Sequence, residues 1–205
     1  MRNIQEKVDS GEVLSGCFCV IGSNVAVEII GQSGLDYVVL DMEHGAGDFG
    51  TLYQQLQVVS GTPAAALVRI AYNEKTLFKQ ALDAGADGIV VPFVNSADEA
   101  TAAVAAMRYP PAGVRGVASS VRATRFGENF AEYMENSYQR LVTVLQIETI
   151  QGVEAAPDIA AVDGVDVLFV GPNDLSFSLG LPRQFDHPDF IDALIRVSDS
   201  AKTAG

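Results

Sequence analysis

The sequence predicts an α/β fold, a (β/α)8 barrel of which about six βα units fall within the 205 residues. Three observations predict it. Short apolar runs alternate with amphipathic stretches along the whole chain, the pattern of repeated βα units. The runs are rich in Val, Ile and Leu on both parities, which suits strands buried on both faces. The turn after the first run, Gly22-Ser-Asn-Val-Ala26, is no G-x-G-x-x-G, so a doubly wound nucleotide fold is disfavoured against a barrel.

Taken in order, the predicted strands are 16–21, 37–41, 65–70, 88–92, 141–148 and 167–171. Between and after them the predicted helices are 24–32, 49–59, 74–84, 96–107, 151–160 and 188–202. Asn95-Ser-Ala-Asp-Glu99 carries a capping side chain and first-turn acids, as a helix start does. Gly34, Gly61, Gly85 and Gly164 stand near helix ends, where a left-handed residue is useful. Residues 109–138 break the rhythm. Pro110-Pro-Ala-Gly-Val-Arg-Gly116 must be a loop, and 129–140 reads as an extra helix. An insertion of this length at the edge that carries the acids would be a functional loop. Its neighbourhood holds Arg108, Arg115, Arg122 and Arg125, which belong either to an ordinary solvated loop or subunit contact or to a positive lip for an anionic substrate. Six units where a barrel needs eight, and a stop at Gly205 where a seventh strand is due, predict one barrel domain over 1–205 lacking its C-terminal units.

Composition narrows the function. Apolar residues make up 48% and charged residues 19%, the balance of a globular core. A net charge of −13 argues against nucleic-acid and anionic-membrane partners, which need a basic face. No run of about 18 apolar residues exists, and Met1–Asp9 is polar with no signal-peptide core. Cys17 and Cys19, two apart, are too few for a structural zinc site and poorly spaced for a disulfide. Reduced thiols suit a cytoplasmic protein.

Parity then sorts the chemistry-bearing residues. Val144, Gln146 and Glu148 share one strand face, with Glu148 at the strand's end. Asp174 follows the next strand, 26 residues later, about one repeat. Two hard oxygen ligands at one carboxyl edge point to a divalent metal, Mg²⁺ first, with Mn²⁺ or Co²⁺ as alternatives. Ala65, Leu67 and Arg69 share a face, so Arg69 reaches the same edge. Asp41 ends its strand there too, and Met42-Glu-His-Gly45 follows as a loop bearing His44. His187 reads as solvated. None of Lys7, Lys75, Lys79 and Lys202 ends a strand, so a Schiff-base route is disfavoured. No G-x-S-x-G elbow occurs.

Five segments in this order resemble one family. They are Leu40-Asp-Met-Glu-His44, Val68-Arg-Ile70, Arg108-Tyr-Pro-Pro-Ala-Gly-Val-Arg-Gly116, Leu145-Gln-Ile-Glu-Thr149 and Val170-Gly-Pro-Asn-Asp-Leu-Ser176. The likeness, from about residue 12 onward, is to the HpcH/HpaI metal-dependent (class II) pyruvate aldolases, of the 4-hydroxy-2-oxoheptanedioate and 2-dehydro-3-deoxyglucarate aldolase type.

The resemblance implies a (β/α)8 barrel assembling as a homo-hexamer whose dimers swap the eighth helix. It implies Glu148 and Asp174 as metal ligands and Gln146 as a substrate holder, with Gly171, Pro172 and Asn173 lining the same pocket. It further implies His44 as base, Arg69 as transition-state stabiliser, Asp83 as the acid raising that histidine's basicity, and Asp41 as an acid near the metal. Asn173 departs from relatives with Ala or Ser there, which bears on substrate preference. The implied reaction is reversible cleavage of a 4-hydroxy-2-oxo acid into pyruvate and an aldehyde through a metal-stabilised enolate. A citrate-lyase-like acyl-CoA lyase and a non-catalytic oxo-acid-binding barrel are the alternatives.

Overall fold

The computed structural model describes residues 4–205. Met1, Arg2 and Asn3, part of the polar stretch read as free of a signal peptide, lie outside the described residues. Helix α1 (Ile4–Asp9) precedes strand β1 (Gly16–Cys19). Then come α2 (Asn24–Gln32), β2 (Tyr37–Asp41), α3 (Phe49–Val59), β3 (Ala65–Arg69), α4 (Lys75–Asp83), β4 (Gly88–Val91) and α5 (Ala97–Met107). After an insertion containing α6 (Phe130–Asn136), the chain resumes with β5 (Val142–Ile147), α7 (Ile150–Ala160) and β6 (Val167–Val170). It closes with α8 (Pro172–Ser178) and α9 (Pro188–Ala204).

Among the described residues the six strands form one sheet in sequence order, and every neighbouring pair is parallel. Alternation along each strand splits the core into two layers. Val38, Leu40, Val68, Ile89, Leu145 and Ile147 face outward and are buried under the helices. Val39, Leu67, Val90 and Val144 face inward, joined by Ile4 of α1. Phe18 of β1 and Phe169 of β6 come together in that interior, ring centroids 5.8 Å apart. Strands at opposite ends of the order touch only if the sheet curls, so it is a partial (β/α)8 barrel with a packed interior.

Both edges of the sheet are pinned by short-range chemistry. At the amino edge a Gly-x-Asp pattern recurs as Gly34-Leu35-Asp36, Gly85-Ala86-Asp87 and Gly164-Val165-Asp166. Each glycine has positive φ (91°, 95° and 96°), the left-handed stop after a helix. Each aspartate accepts a backbone N–H from the unit before it: Ser15 at 2.9 Å, Ala66 at 2.8 Å and Thr143 at 2.7 Å. At the carboxyl edge, Ser23, Asp48, Ser96 and Thr149 cap the helices that leave the strands. Such caps are worth about 1 kcal/mol each and fix the loops between strand and helix.

The sequence reading needs four corrections here. Gly61 lacks a left-handed φ; the end of α3 is closed by Ser60, whose N–H bonds back to Leu56. The helix expected over 129–140 breaks at Asn136 and finishes as a 3₁₀ turn, Ser137–Arg140. Asp174, read simply as following its strand, lies in the first turn of a short helix that begins at Pro172, a residue pre-set for a helix start. The last correction has functional weight. The insertion leaves the end of a helix and enters the start of a strand, so it belongs to the amino edge, opposite the acids. Arg122 donates to the carbonyls of Ala84 and Leu56, near the C-terminal ends of α4 and α3. Arg115 is wholly buried, donating to Asp83 at 2.8 Å and to the Tyr133 hydroxyl at 3.2 Å. Its guanidinium also sits 4.5 Å from the Tyr109 ring centroid. Arg108 pairs with Asp163. These arginines tie the insertion down and form no lip over the strand ends.

Candidate active site

Strand β5 delivers Gln146 and, one residue past its end, Glu148 to the interior mouth; both are buried, Glu148 at 1% exposure. Glu148 Oε2 accepts from Gln146 Nε2. Its Oε1 accepts from the backbone N–H of Phe93 at 2.8 Å. Phe93 has φ 52°, left-handed in a residue that is not glycine. Such strain persists where the surroundings enforce it. Here Asn95 donates to the Phe93 carbonyl and receives the Thr149 hydroxyl, so the loop after β4 is tied to the loop after β5. Gly171 follows β6 and leaves room for the acid: a methyl there would force Glu148 Oε2 and Gln146 Nε2 out of their present places. From Gly171 the chain turns into α8, with Pro172 at the first position and Asp174 in the first turn.

This arrangement leaves Glu148 electrostatically uncomfortable. Burial, and after it the charges of Asp174 and Glu43, push its carboxyl up from 4.5 to about 7, against the pull of the Phe93 N–H and Gln146. Asp174 itself is open to solvent at the mouth.

On the neighbouring pair of strands Asp41 and Arg69 stand opposite each other in register. They form a two-pronged pair, Nε to Oδ1 at 2.8 Å and Nη2 to Oδ2 at 2.6 Å. Burial opposes the Asp41 charge, but Arg69 holds its carboxyl below the usual range. Asp41 Oδ1 also accepts the N–H groups of Glu43 and His44. A methyl on Gly45 would collide with the Asp41 carbonyl, so the loop can curl this tightly only with glycine there. Arg69 extends its remaining nitrogen, Nη1, to Glu43 Oε2 at 3.2 Å and lies 4.9 Å from the Phe18 ring centroid. Burial raises Glu43 above the usual carboxylate range despite the attraction of Arg69. His44, its side chain 65% exposed, stands at the rim with Nε2 3.9 Å from Glu43 Oε1.

The structure therefore brings Glu148, Gln146, Gly171, Pro172, Asn173, Asp174, Asp41, Arg69 and His44 to one edge. Asp83 is not among them. It ends α4 just before β4 and so lies at the amino edge, where it binds Arg115. Within one chain it does not pair with His44. Two contributors escaped the sequence reading. Glu43 sits in a loop without periodicity, and its only signal was its place two residues beyond Asp41. Phe93 acts through its backbone N–H, for which residue type gives no sign.

A divalent cation fits these residues. Glu148 is a buried carboxylate whose charge is opposed by burial and by another acid, and Gln146 Oε1 is buried without a partner among the described residues. No group of three or more His, Cys, Asp or Glu side chains forms a closed metal cage among the described residues. The donor set, two carboxylates, is the sparse all-oxygen kind that leaves most coordination positions to water and substrate.

The family model for HpcH/HpaI aldolase/citrate lyase matches residues 14–205. A 5-keto-4-deoxy-D-glucarate aldolase of Shigella boydii serotype 18 is 39% identical over 194 residues, covering 95% of this chain and 75% of its own length. An HpcH/HpaI aldolase/citrate lyase family protein from Burkholderia cenocepacia J2315 superposes with TM-score 0.95 at 36% identity, over 100% of this chain and 82% of that one. An HpcH/HpaI aldolase from Desulfitobacterium hafniense DCB-2 gives 0.92 at 31% identity, over 100% and 80%. With its curled six-stranded sheet and its acids gathered at the carboxyl edge, this chain belongs to the HpcH/HpaI aldolase/citrate lyase family.

Proposed function

We propose that this chain is a divalent-metal-dependent aldolase that reversibly cleaves a 4-hydroxy-2-oxo acid into pyruvate and an aldehyde. Family membership supports an enzyme of the carbon–carbon lyase class. The observation that carries the reading is the gathering of Glu148, Asp174, Gln146 and Arg69 at one edge with no lysine beside them. All four lysines lie on helices, and none directly follows a strand.

Glu148 and Asp174 would hold the ion, Mg²⁺ first by their all-oxygen character, with Mn²⁺ or Co²⁺ as substitutes. Such an ion, when bound, supplies Lewis-acid polarisation of the 2-oxo group. Gln146, fixed by its bond to Glu148, offers its free Oε1 as an acceptor for a substrate hydroxyl. In cleavage the C4 hydroxyl loses its proton and the C3–C4 bond breaks. That electron pair moves onto the C2 oxygen, and the aldehyde departs. Arg69, permanently charged and locked by Asp41, stabilises the oxygen as charge grows on it; one such fixed donor is worth about 3 kcal/mol. His44, open to solvent at the rim, takes the C4 proton and returns one to C3, completing the methyl group of pyruvate. Asp83 has no part in this scheme within a single chain.

The relative's substrate, 5-keto-4-deoxy-D-glucarate, is an acid of this class when numbered from its keto end, and it is the first to assay. Pyruvate release, followed with lactate dehydrogenase, should vanish on chelation and return with Mg²⁺. Full turnover in chelated buffer would overturn the scheme. Cleavage of acyl-CoA thioesters without pyruvate release would favour the citrate-lyase-like alternative. We also place the protein in the cytoplasm as a homo-oligomer, a hexamer by family resemblance, and read the described units as part of one barrel domain. The two free cysteines support a reducing compartment. No helix among the described residues is long and apolar enough to cross a membrane.

A further inference from the structure

We infer that Glu43 is a positioning residue of this site, setting Arg69 through one carboxylate oxygen and His44 through the other. The inference rests on the aldolase reading above. Asp41 occupies Nε and Nη2 of Arg69 and leaves Nη1 to be fixed by something else. Glu43 Oε2, at 3.2 Å, is what fixes it. The opposite oxygen of the same carboxylate lies 3.9 Å from His44 Nε2. One rigid planar group thus spans the proposed oxyanion stabiliser and the proposed proton carrier.

The loop that holds Glu43 is itself determined. The N–H groups of Glu43 and His44 both bond to Asp41 Oδ1, the Met42 N–H bonds to the Arg69 carbonyl at 2.8 Å, and Gly45 packs on the Asp41 carbonyl. Glu43 is 11% exposed, so little room remains for its side chain to wander.

A purely structural ion pair would not be built this way. Asp41 already neutralises Arg69 with two hydrogen bonds. A second carboxylate, only partly exposed and facing the charges of Asp41 and Asp174, adds electrostatic cost. Groups that sit at such a cost while geometry holds them in place mark function at the expense of stability.

The test compares Glu43→Ala and Glu43→Gln with the wild type in three measurements: kcat and KM for pyruvate release, exchange of pyruvate methyl protons in D2O, and thermal melting. Glu43→Ala should lower kcat and the exchange rate together by about 10- to 100-fold, the scale of an ångström's misplacement, with KM little changed. Its melting temperature should equal or exceed that of the wild type. Glu43→Gln keeps an acceptor for Arg69 and should recover part of kcat. Unchanged kcat in Glu43→Ala, or a fall in melting temperature that parallels the fall in activity, overturns the inference. A wild type that neither cleaves nor exchanges sinks the aldolase reading and takes this inference with it. A wild type that does both, beside a Glu43→Ala variant that does both equally well, sinks this inference alone.

Discussion

At the amino edge of the sheet Asp36, Asp87 and Asp166 each accept a backbone N–H from the unit before, and Asp83 meets a buried arginine. At the carboxyl edge burial, and after it the charge of Asp174, raises the proton affinity of Glu43 and Glu148, with Arg69 the cation among them. The residue types are the same and the strands are the same. The difference lies in company. Where each acid has its own donor, the edge serves stability; where acids outnumber donors, the edge is held ready for a cation and a substrate. That division matches the general rule for barrels, in which chemistry sits where strands end and stability where they begin.

The sharpest way to break the comparison is Glu148→Gln. Losing this carboxylate should lower kcat by about a thousandfold or more, measured by coupled pyruvate release. The same change should leave the metal-free protein as stable as the wild type or more so at pH 8, by urea denaturation, because an uncompensated charge is removed. Loss of both activity and stability would place Glu148 with the acids of the opposite edge.

Arg115→Ala is the mirror experiment. It strips the cation from Asp83 and removes a fully buried side chain, so stability should fall by about 3 to 5 kcal/mol. Molecules that remain folded should keep wild-type kcat and KM. A selective loss of kcat would return the insertion arginines to the active edge.

Acidity offers a third test. Glu148 titrates near 4.5 when unfolded and at about 7 when folded, so the folded state binds its proton more tightly. The stability contributed by this group is fully present below the unfolded value and is lost as pH rises through the folded one. Between pH 4.5 and 8 the loss amounts to about 3 kcal/mol in metal-free protein. Melting curves should show it as a pH slope that is absent from Glu148→Gln. Millimolar Mg²⁺ should restore the loss at pH 8 in the wild type alone.

Much of this contrast could be read from the sequence. Period-two alternation put Gln146 and Glu148 on one face, and equal repeat spacing put Asp174 beside them. Arg69 and Asp41 followed by the same parity. The insertion was misplaced although the topology needed to place it was available: a segment running from a helix into a strand must lie where strands begin. Likeness to other proteins makes Asp83 the acid that acts on His44, while its own position, two residues before a left-handed glycine and a new strand, puts it at the amino edge of its own chain. Glu43 and Phe93 were out of reach for a different reason. Loop direction depends on hydrogen bonds such as those to Asp41 Oδ1, and a left-handed backbone at Phe93 follows from tertiary ties that no local pattern encodes.

The mildest expected effect tests the amino edge one acid at a time. Asp87 Oδ2 accepts the N–H of Ala66, which is buried at the start of β3. Asp87→Ala leaves that N–H without its partner and should cost about 1 to 3 kcal/mol. Asp87→Asn keeps a carbonyl oxygen in the same place and should cost less than half as much, because the bond is retained and only its charge assistance is lost. Neither variant should change kcat, since the bonded pair lies one strand length from the catalytic mouth. If Asp87→Asn proves as harmful as Asp87→Ala, the charge is what matters at this edge. The two edges would then differ only in how many cations each can reach.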